Sequence, residues 1–340
     1  MPAERAVRRS RGILGTLVLG TLAGCLVLGL VEGILRIVGV GHGVRPRIIL
    51  RLLDTDVTLP YVREDLQLFW SPTPGFAGTF LDKKVTINAL GVRGPEVVEG
   101  KAPGRRIVCF GDSITFGYGV GDDESYPSRL GALLPAVEVV NAGVTGYSSF
   151  QAVGFARRLL PRLEPNIALM LIGWNDGNHR PVDDREYAVR VEEAARVEAL
   201  ADHLYLYRAL RNLYLRGALL RGLSRAKGTP KTRRVSPEQY SENLRVFVEE
   251  CGLRGTKPLF VALPRRRRAG EAPPELVYPK ALLETAGRLG VPLLGVGDLA
   301  PDDPEGNDRF FLDTLHLTPE GNERLAGLLA KAIRAQGLVP

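Results

Sequence analysis

Four polar clusters stand at the ends of apolar runs: Gly111-Asp112-Ser113, Asn141 to Gly146, Gly173-Trp174-Asn175-Asp176 and Asp313-Thr314-Leu315-His316. Together they hold a hydroxyl, an imidazole, a carboxylate and an amide. Those groups suit attack on an ester carbonyl. A serine hydroxyl is a weak nucleophile until a base takes its proton. His316 is one of four histidines in the chain, and an imidazole can act as that base near neutral pH. Asp313, three residues earlier, can hold the imidazole in one tautomer and stabilise the imidazolium. The backbone N–H groups of Ser113 and Gly146 and the side-chain amide of Asn175 can serve as oxyanion donors. Loss of one such donor costs about 3–4 kcal/mol of transition-state stabilisation. Singly, each residue has a plainer account. Ser113 suits a helix cap, Asn175 and Asp176 suit a turn, and Asp313 and His316 suit a loop. Four clusters together at strand ends argue for a site. Asp112 and Asp176 are expected to brace turns rather than react.

The elements between these clusters alternate. Ile107 to Phe110, Val137 to Val140, Ile167 to Ile172, Leu259 to Leu263 and Pro292 to Leu294 read as short buried strands. Helical stretches fall at 125–134, 149–160 and 318–336, the last opened by Thr318-Pro319-Glu320, an N-cap followed by proline at the first position. Strands that are apolar on both faces and alternate with helices imply a parallel sheet covered on both sides. Ligands of such sheets sit beyond the carboxyl ends of the strands, where the four clusters lie.

A long insertion, 177–257, separates the third and fourth strands. Within it Leu204, Tyr207, Leu210, Leu213 and Tyr214 recur at helical spacing. They are expected to form a helix packed on the flank, with a lid or a lipid-leaning helix as the alternative. The basic stretch Ala226 to Val235, with Lys227, Lys231, Arg233 and Arg234, reads as a mobile loop. Arg265 to Arg268 read as a solvated charge cluster, or as a grip on a substrate phosphate or carboxylate or on anionic headgroups. Trp174 suits packing or a substrate wall. Lys84 to Asn88 alternate and suggest an edge strand.

The chain has 340 residues, of which 45% are hydrophobic and 24% charged. That composition excludes a disordered or fibrous protein. A net charge of +7, with no recognition motif, gives no ground for nucleic-acid binding. Cys25, Cys109 and Cys251 are too few and too scattered for a disulfide framework or a metal cage. His42, His179 and His203 lack companions at ligand spacing, so neither a metal nor another cofactor is expected. Residues 13 to 31 carry no charge. As a helix they reach about 28 Å, close to the hydrocarbon thickness of a bilayer. Arg5, Arg8, Arg9 and Arg11 precede them and favour the cytoplasmic side, although Arg36, Arg45, Arg47 and Arg51 follow. A cleaved signal peptide normally has a shorter apolar core. Leu22-Ala23-Gly24-Cys25 has the form of a lipoprotein box, but apolar sequence continues past Cys25 through Leu30. The expected organisation is a basic tail at 1–12, a transmembrane anchor at 13–40 and a juxtamembrane connector at 41–104 that packs on the main domain. The main domain follows at 105–340, outside the cytoplasm.

Over about 105–338 the chain resembles the SGNH hydrolases, the GDSL-type esterase/lipase superfamily. The resemblance is carried in order by Gly111-Asp112-Ser113-Ile114, Asn141 to Gly146, Gly173-Trp174-Asn175-Asp176 and Asp313-Thr314-Leu315-His316. Ile114 stands where the family name has Leu. The resemblance implies a flavodoxin-like three-layer α/β/α sandwich with a five-stranded parallel sheet in the order 2-1-3-4-5. It also implies metal-free ester chemistry through a covalent acyl-serine. In that chemistry Ser113 is nucleophile, His316 base and Asp313 its orienter, with Ser113, Gly146 and Asn175 forming the oxyanion hole. Ile87 to Gly94, after the apolar span, resembles membrane-anchored bacterial members. The expectation is a membrane-anchored serine esterase or deacylase acting on small-molecule, glycan or lipid esters, acetyl esters included. An O-acyltransferase that passes the acyl group to a sugar hydroxyl would use the same site. A non-catalytic cell-envelope binding protein is the reading of another class, and the complete motif set argues against it.

Overall fold

The computed structural model describes residues 2–39, 59–201, 203–210, 213, 232–264, 277–295, 299 and 309–339. The Arg265 to Arg268 run and most of the basic stretch after Arg225 lie outside these residues. Two compact units divide the chain: Met1–Ile48 with Glu192–Thr229, and Ile49–Val191 with Pro230–Pro340.

The first unit holds helix α1 (Pro2–Val38). Within it Thr16–Val38 has a mean hydropathy of 2.1 and is not buried in the protein, so it is long and apolar enough to cross a membrane. Its 23 residues span about 35 Å. The Thr21 hydroxyl donates to the Leu17 carbonyl at 2.9 Å, which satisfies it inside the helix. The helix runs past Val31, where the uncharged stretch ends, because the next charges partner one another. Glu32 and Arg36 are one turn apart and pair at 2.8 Å. Glu32 also accepts the N–H groups of Tyr205 and Leu206 at 2.9 and 2.7 Å, capping the helical residues 205–210. Arg36 donates to the His203 carbonyl at 3.2 Å and lies over the Tyr205 ring.

In the second unit the central sheet consists of β5 (Arg105–Gly111), β6 (Val137–Gly143), β7 (Ile167–Leu171), β10 (Lys257–Val261) and β11 (Leu293–Leu294). All neighbours are parallel and the spatial order is β11-β10-β7-β5-β6. Counted within the sheet this is 2-1-3-4-5. Successive side chains of a strand face opposite ways, and β5 divides accordingly. Val108 and Phe110 join the apolar layer of α4 (Ser149–Leu163), α6 (Pro237–Gly252) and α7 (Val277–Leu289). Ile107 and Cys109 join the layer of α3 (Tyr126–Leu133) and α8 (Pro319–Ala335). A sheet buried on both faces explains why these strands are apolar throughout. The fold is thus a three-layer α/β/α sandwich.

Two antiparallel ribbons precede the sheet. Strands β1 (Val62–Asp65) and β2 (Phe69–Pro72) form the first; β3 (Ala77–Phe80) and β4 (Lys83–Thr86) form the second. The alternating run at 84–88 is therefore half of a separate ribbon and not the edge of the main sheet. The turn after it explains why. The Asn88 side chain accepts from the N–H groups of Leu90 and Val92, which reverses the chain. Only Arg93 reaches β6, with one bond from its N–H to the Asn141 carbonyl at 3.0 Å. Strand β2 is wholly buried. Leu68, Phe69 and Trp70 enter the same core as α4.

Candidate active site

Strand β5 ends at Gly111, where a Cβ would lie 2.1 Å from Thr115 Oγ1 and 2.3 Å from the Leu171 carbonyl. Only glycine lets the short helix α2 (Ser113–Phe116) sit so close to the sheet. Asp112 caps it, accepting the Ile114 N–H at 2.9 Å, and so braces the turn as expected of it. Ser113 opens the helix, where its orphan N–H groups and dipole favour negative charge.

His316 approaches from the other end of the chain. Its Nε2 lies 2.9 Å from Ser113 Oγ, and its Nδ1 lies 2.6 Å from Asp313 Oδ2. Asp313 Oδ1 accepts the N–H groups of Leu315 and His316 at 2.8 Å each. With a carboxylate fixed on Nδ1, the neutral ring carries its proton there and turns the lone pair of Nε2 toward Ser113. Partial burial works to raise the Asp313 pKa, but hydrogen bonds from the His316 N–H, the imidazole and the Leu315 N–H outweigh it and bring it below its ordinary value. The loop carrying both residues is closed by the Leu312 N–H donating to the His316 carbonyl at 2.7 Å.

The second and third clusters meet through the backbone. Gly146 has φ +80, the left-handed region that favours glycine. Three consecutive carbonyls of its loop each take a side-chain donor. Trp70 Nε1 donates to Thr145 at 3.0 Å, Arg234 Nη1 to Gly146 at 2.8 Å and Asn175 Nδ2 to Tyr147 at 3.0 Å. The last bond fixes the Asn175 amide and leaves its second N–H available.

Two carboxyls behind the site are fully buried. Burial pushes Asp112 up to about 7, against the Ile114 N–H and with the charge of Asp176 adding to the rise. Among the described residues its Oδ2 has no hydrogen-bond partner. Burial likewise pushes Asp176 up to about 6, against hydrogen bonds from Ser149. Asp176 was expected to brace its own turn, yet its side chain accepts the Ser149 N–H and hydroxyl, at 3.0 and 2.5 Å. The reason is the first turn of α4, whose N–H groups lack intrahelical partners.

Four residues that matter here carry no local signal in the sequence. Arg93 is buried and donates to the carbonyls of Phe116, Gly117 and Val120 and to Asp122. It thereby shapes the loop of Tyr118, whose ring stacks on His316 with centroids 4.4 Å apart. Trp70 and Arg234 hold the glycine loop. Arg234 corrects the reading of a mobile basic stretch: it is buried and paired with the equally buried Asp184 at 2.9 Å. Trp174 is half-buried, and His179 lies exposed on β8 (His179–Arg180), which pairs with β9 (Thr232–Arg233) and is followed by α5 (Asp184–Ala201). Among the described residues no group of three His, Cys, Asp or Glu side chains is placed to hold a metal ion.

This chain belongs to the GDSL-like Lipase/Acylhydrolase family, which matches residues 109–324. It is thereby placed among ester-hydrolysing enzymes. A curated relative is the isoamyl acetate-hydrolyzing esterase 1 homolog of Rattus norvegicus, 26% identical over 234 residues, which are 65% of this chain and 78% of that protein. Among solved structures, LAE5, an alpha/beta hydrolase enzyme from the metagenome of Lake Arreo, Spain, is 19% identical with a TM-score of 0.46, covering 69% of this chain and 96% of its own. TesA is 16% identical with a TM-score of 0.45, covering 68% and 99%.

Proposed function

We propose that this chain is a serine esterase that cleaves short acyl esters through an acyl-serine on Ser113. The observation that carries the reading is the unbroken line Ser113 Oγ, His316 Nε2, His316 Nδ1, Asp313 Oδ2, with links of 2.9 and 2.6 Å. His316 takes the hydroxyl proton as the Ser113 oxygen attacks the ester carbon. Asp313 stabilises the imidazolium that forms. The carbonyl oxygen, now negative, is received by the N–H groups of Ser113 and Gly146 and the amide of Asn175. His316 then gives the proton to the leaving alkoxide, and the alcohol departs. Water repeats the sequence on the acyl-serine and releases the acid. The short acyl group is supported by the relative in Rattus norvegicus, a homolog of an isoamyl acetate-hydrolyzing esterase. We assign α1 as a single-pass anchor with the catalytic domain outside the cytoplasm, supported by its apolar length and by the arginines before it. Cys25 lies inside a helix that continues to Val38, which favours a spanning segment over a lipid-modified terminus.

A fluorophosphonate probe tests the site. It is expected to label the intact protein at Ser113, and Ser113→Ala is expected to lose both labelling and at least about 10⁴-fold in hydrolysis of p-nitrophenyl acetate. Labelling that persists in Ser113→Ala would move the nucleophile elsewhere. An acyl-length series, run with and without sugar acceptors, is expected to favour acetyl and to release free acid. Acyl transfer to the sugar would instead make the chain a transferase.

A further inference from the structure

We propose that Trp70 is a positioning residue for the oxyanion site, aiming the Gly146 N–H by holding the carbonyl of the same peptide group. The inference rests on the acyl-serine reading of the site and adds a determinant to it. In a trans peptide the C=O and the following N–H lie in one plane and point in opposite directions. Fixing the carbonyl therefore fixes the N–H. The peptide that contributes the Gly146 N–H has Thr145 as its carbonyl, and Trp70 Nε1 donates to that oxygen at 3.0 Å.

Gly146 has no side chain to restrain it, and its φ of +80 permits wide rotation. A loop of this kind aims its N–H groups only if something else holds its carbonyls. The indole is well suited to do so. Trp70 is 0% exposed, so water does not compete for the carbonyl. Its own backbone is tied to the loop in return, the Tyr147 hydroxyl donating to the Trp70 carbonyl at 2.7 Å. The Tyr61 hydroxyl meets Thr145 Oγ1 at 3.0 Å, and Gln151 Nε2 donates to the Leu68 carbonyl at 2.6 Å. Residues 61–70 are thus joined to the glycine loop by three separate bonds and to α4 by a fourth. Trp70 lies outside the stretch that matches the family, 109–324. The segment before the hydrolase domain is thereby part of its transition-state machinery.

The test uses the full chain and Trp70→Phe, which keeps an aromatic ring and removes the donor. A second variant replaces Trp70 by benzothienylalanine, the same bicyclic shape with sulfur in place of N–H. It answers the question if the phenylalanine variant does not fold. Active sites are counted by end-point fluorophosphonate labelling, and rates are expressed per labelled site. The expected result is a fall in kcat of about 10- to 100-fold with KM within about two-fold, less than the full loss of a donor. Affinity for phenylboronic acid, whose tetrahedral adduct places a charged oxygen in the same site, is expected to fall by a similar factor. A purely packing role predicts fewer labelled sites with wild-type kcat and boronate affinity per site, and that result would overturn the proposal. Ser113→Ala separates the two levels. If it still turns over at the wild-type rate, the acyl-serine reading itself fails. If it is inactive while both Trp70 variants match wild type, only the role of Trp70 fails.

Discussion

At the scale of single residues, the carboxyl beside the imidazole and the two carboxyls behind the site are shifted in opposite directions. Asp313 faces the imidazole and is held in its charged form. Asp112, one residue before the candidate nucleophile, is raised to about 7 by burial. This has a defined consequence for stability. The unfolded chain releases that proton near the ordinary carboxylate value of 3.8, while the folded chain keeps it to about 7. Over that interval the native state binds more protons than the unfolded state, so stability falls as pH rises and levels off above pH 7. Asp112→Asn keeps an acceptor for the Ile114 N–H and has no proton to lose. Urea unfolding at pH 5 and pH 8 is expected to show a smaller loss of stability for the variant than for wild type; equal losses would contradict the account. The candidate catalytic residues could be proposed from the sequence because each role needs one residue type, placed after a strand or before a helix. The buried carboxyls' environment was not legible there, since Asp176 is met by Ser149 at the start of α4, 27 positions away in the chain.

At the scale of elements, the insertion between β7 and β10 contributes structure as well as length. It returns Arg234 into the core, where the guanidinium bonds Asp184, Gln151 and the Gly146 carbonyl. A run of basic residues normally marks a solvated surface, and nothing local distinguishes Arg234 from Arg233 beside it. Only the fold brings Asp184 to within 2.9 Å of it. The same holds for Arg93, whose acceptors Phe116, Gly117 and Val120 lie more than twenty positions downstream. Strand and helix positions, by contrast, followed from apolar runs and caps, and β6 exceeded its expected length because Asn141, Ala142 and Gly143 continue the ladder with β5. Removing one partner of a buried ion pair strands the other. Arg234→Met is expected to destabilise the fold by about 3–5 kcal/mol, and adding Asp184→Leu should recover most of that loss. Chemical unfolding of the single and double variants measures both. A single variant within about 0.5 kcal/mol of wild type would show that the pair is not desolvated as described.

At the scale of the whole molecule, the chain joins an apolar helix to a hydrolase domain, and each has its own test. The full chain is expected to sediment with membranes and resist carbonate extraction. Deletion of residues 1–39 is expected to release the protein while leaving kcat on a water-soluble ester within about two-fold. Retention of the deleted form on membranes would assign lipid contact to residues 192–229 instead. The layered parallel sheet was legible because strands buried on both faces leave a continuous apolar signature, whereas its strand order came from the family resemblance. The two ribbons before the sheet were not legible, because their strands are four residues each and pair with one another rather than with the main sheet. The central claim is the covalent step at Ser113. Acid quenching during turnover of p-nitrophenyl acetate, followed by mass spectrometry of the peptide containing Ser113, measures it directly. An added acetyl group on Ser113 is expected to accumulate in the wild type and to be absent in Ser113→Ala. An acetyl group on another residue, at a level that tracks turnover, would contradict that claim.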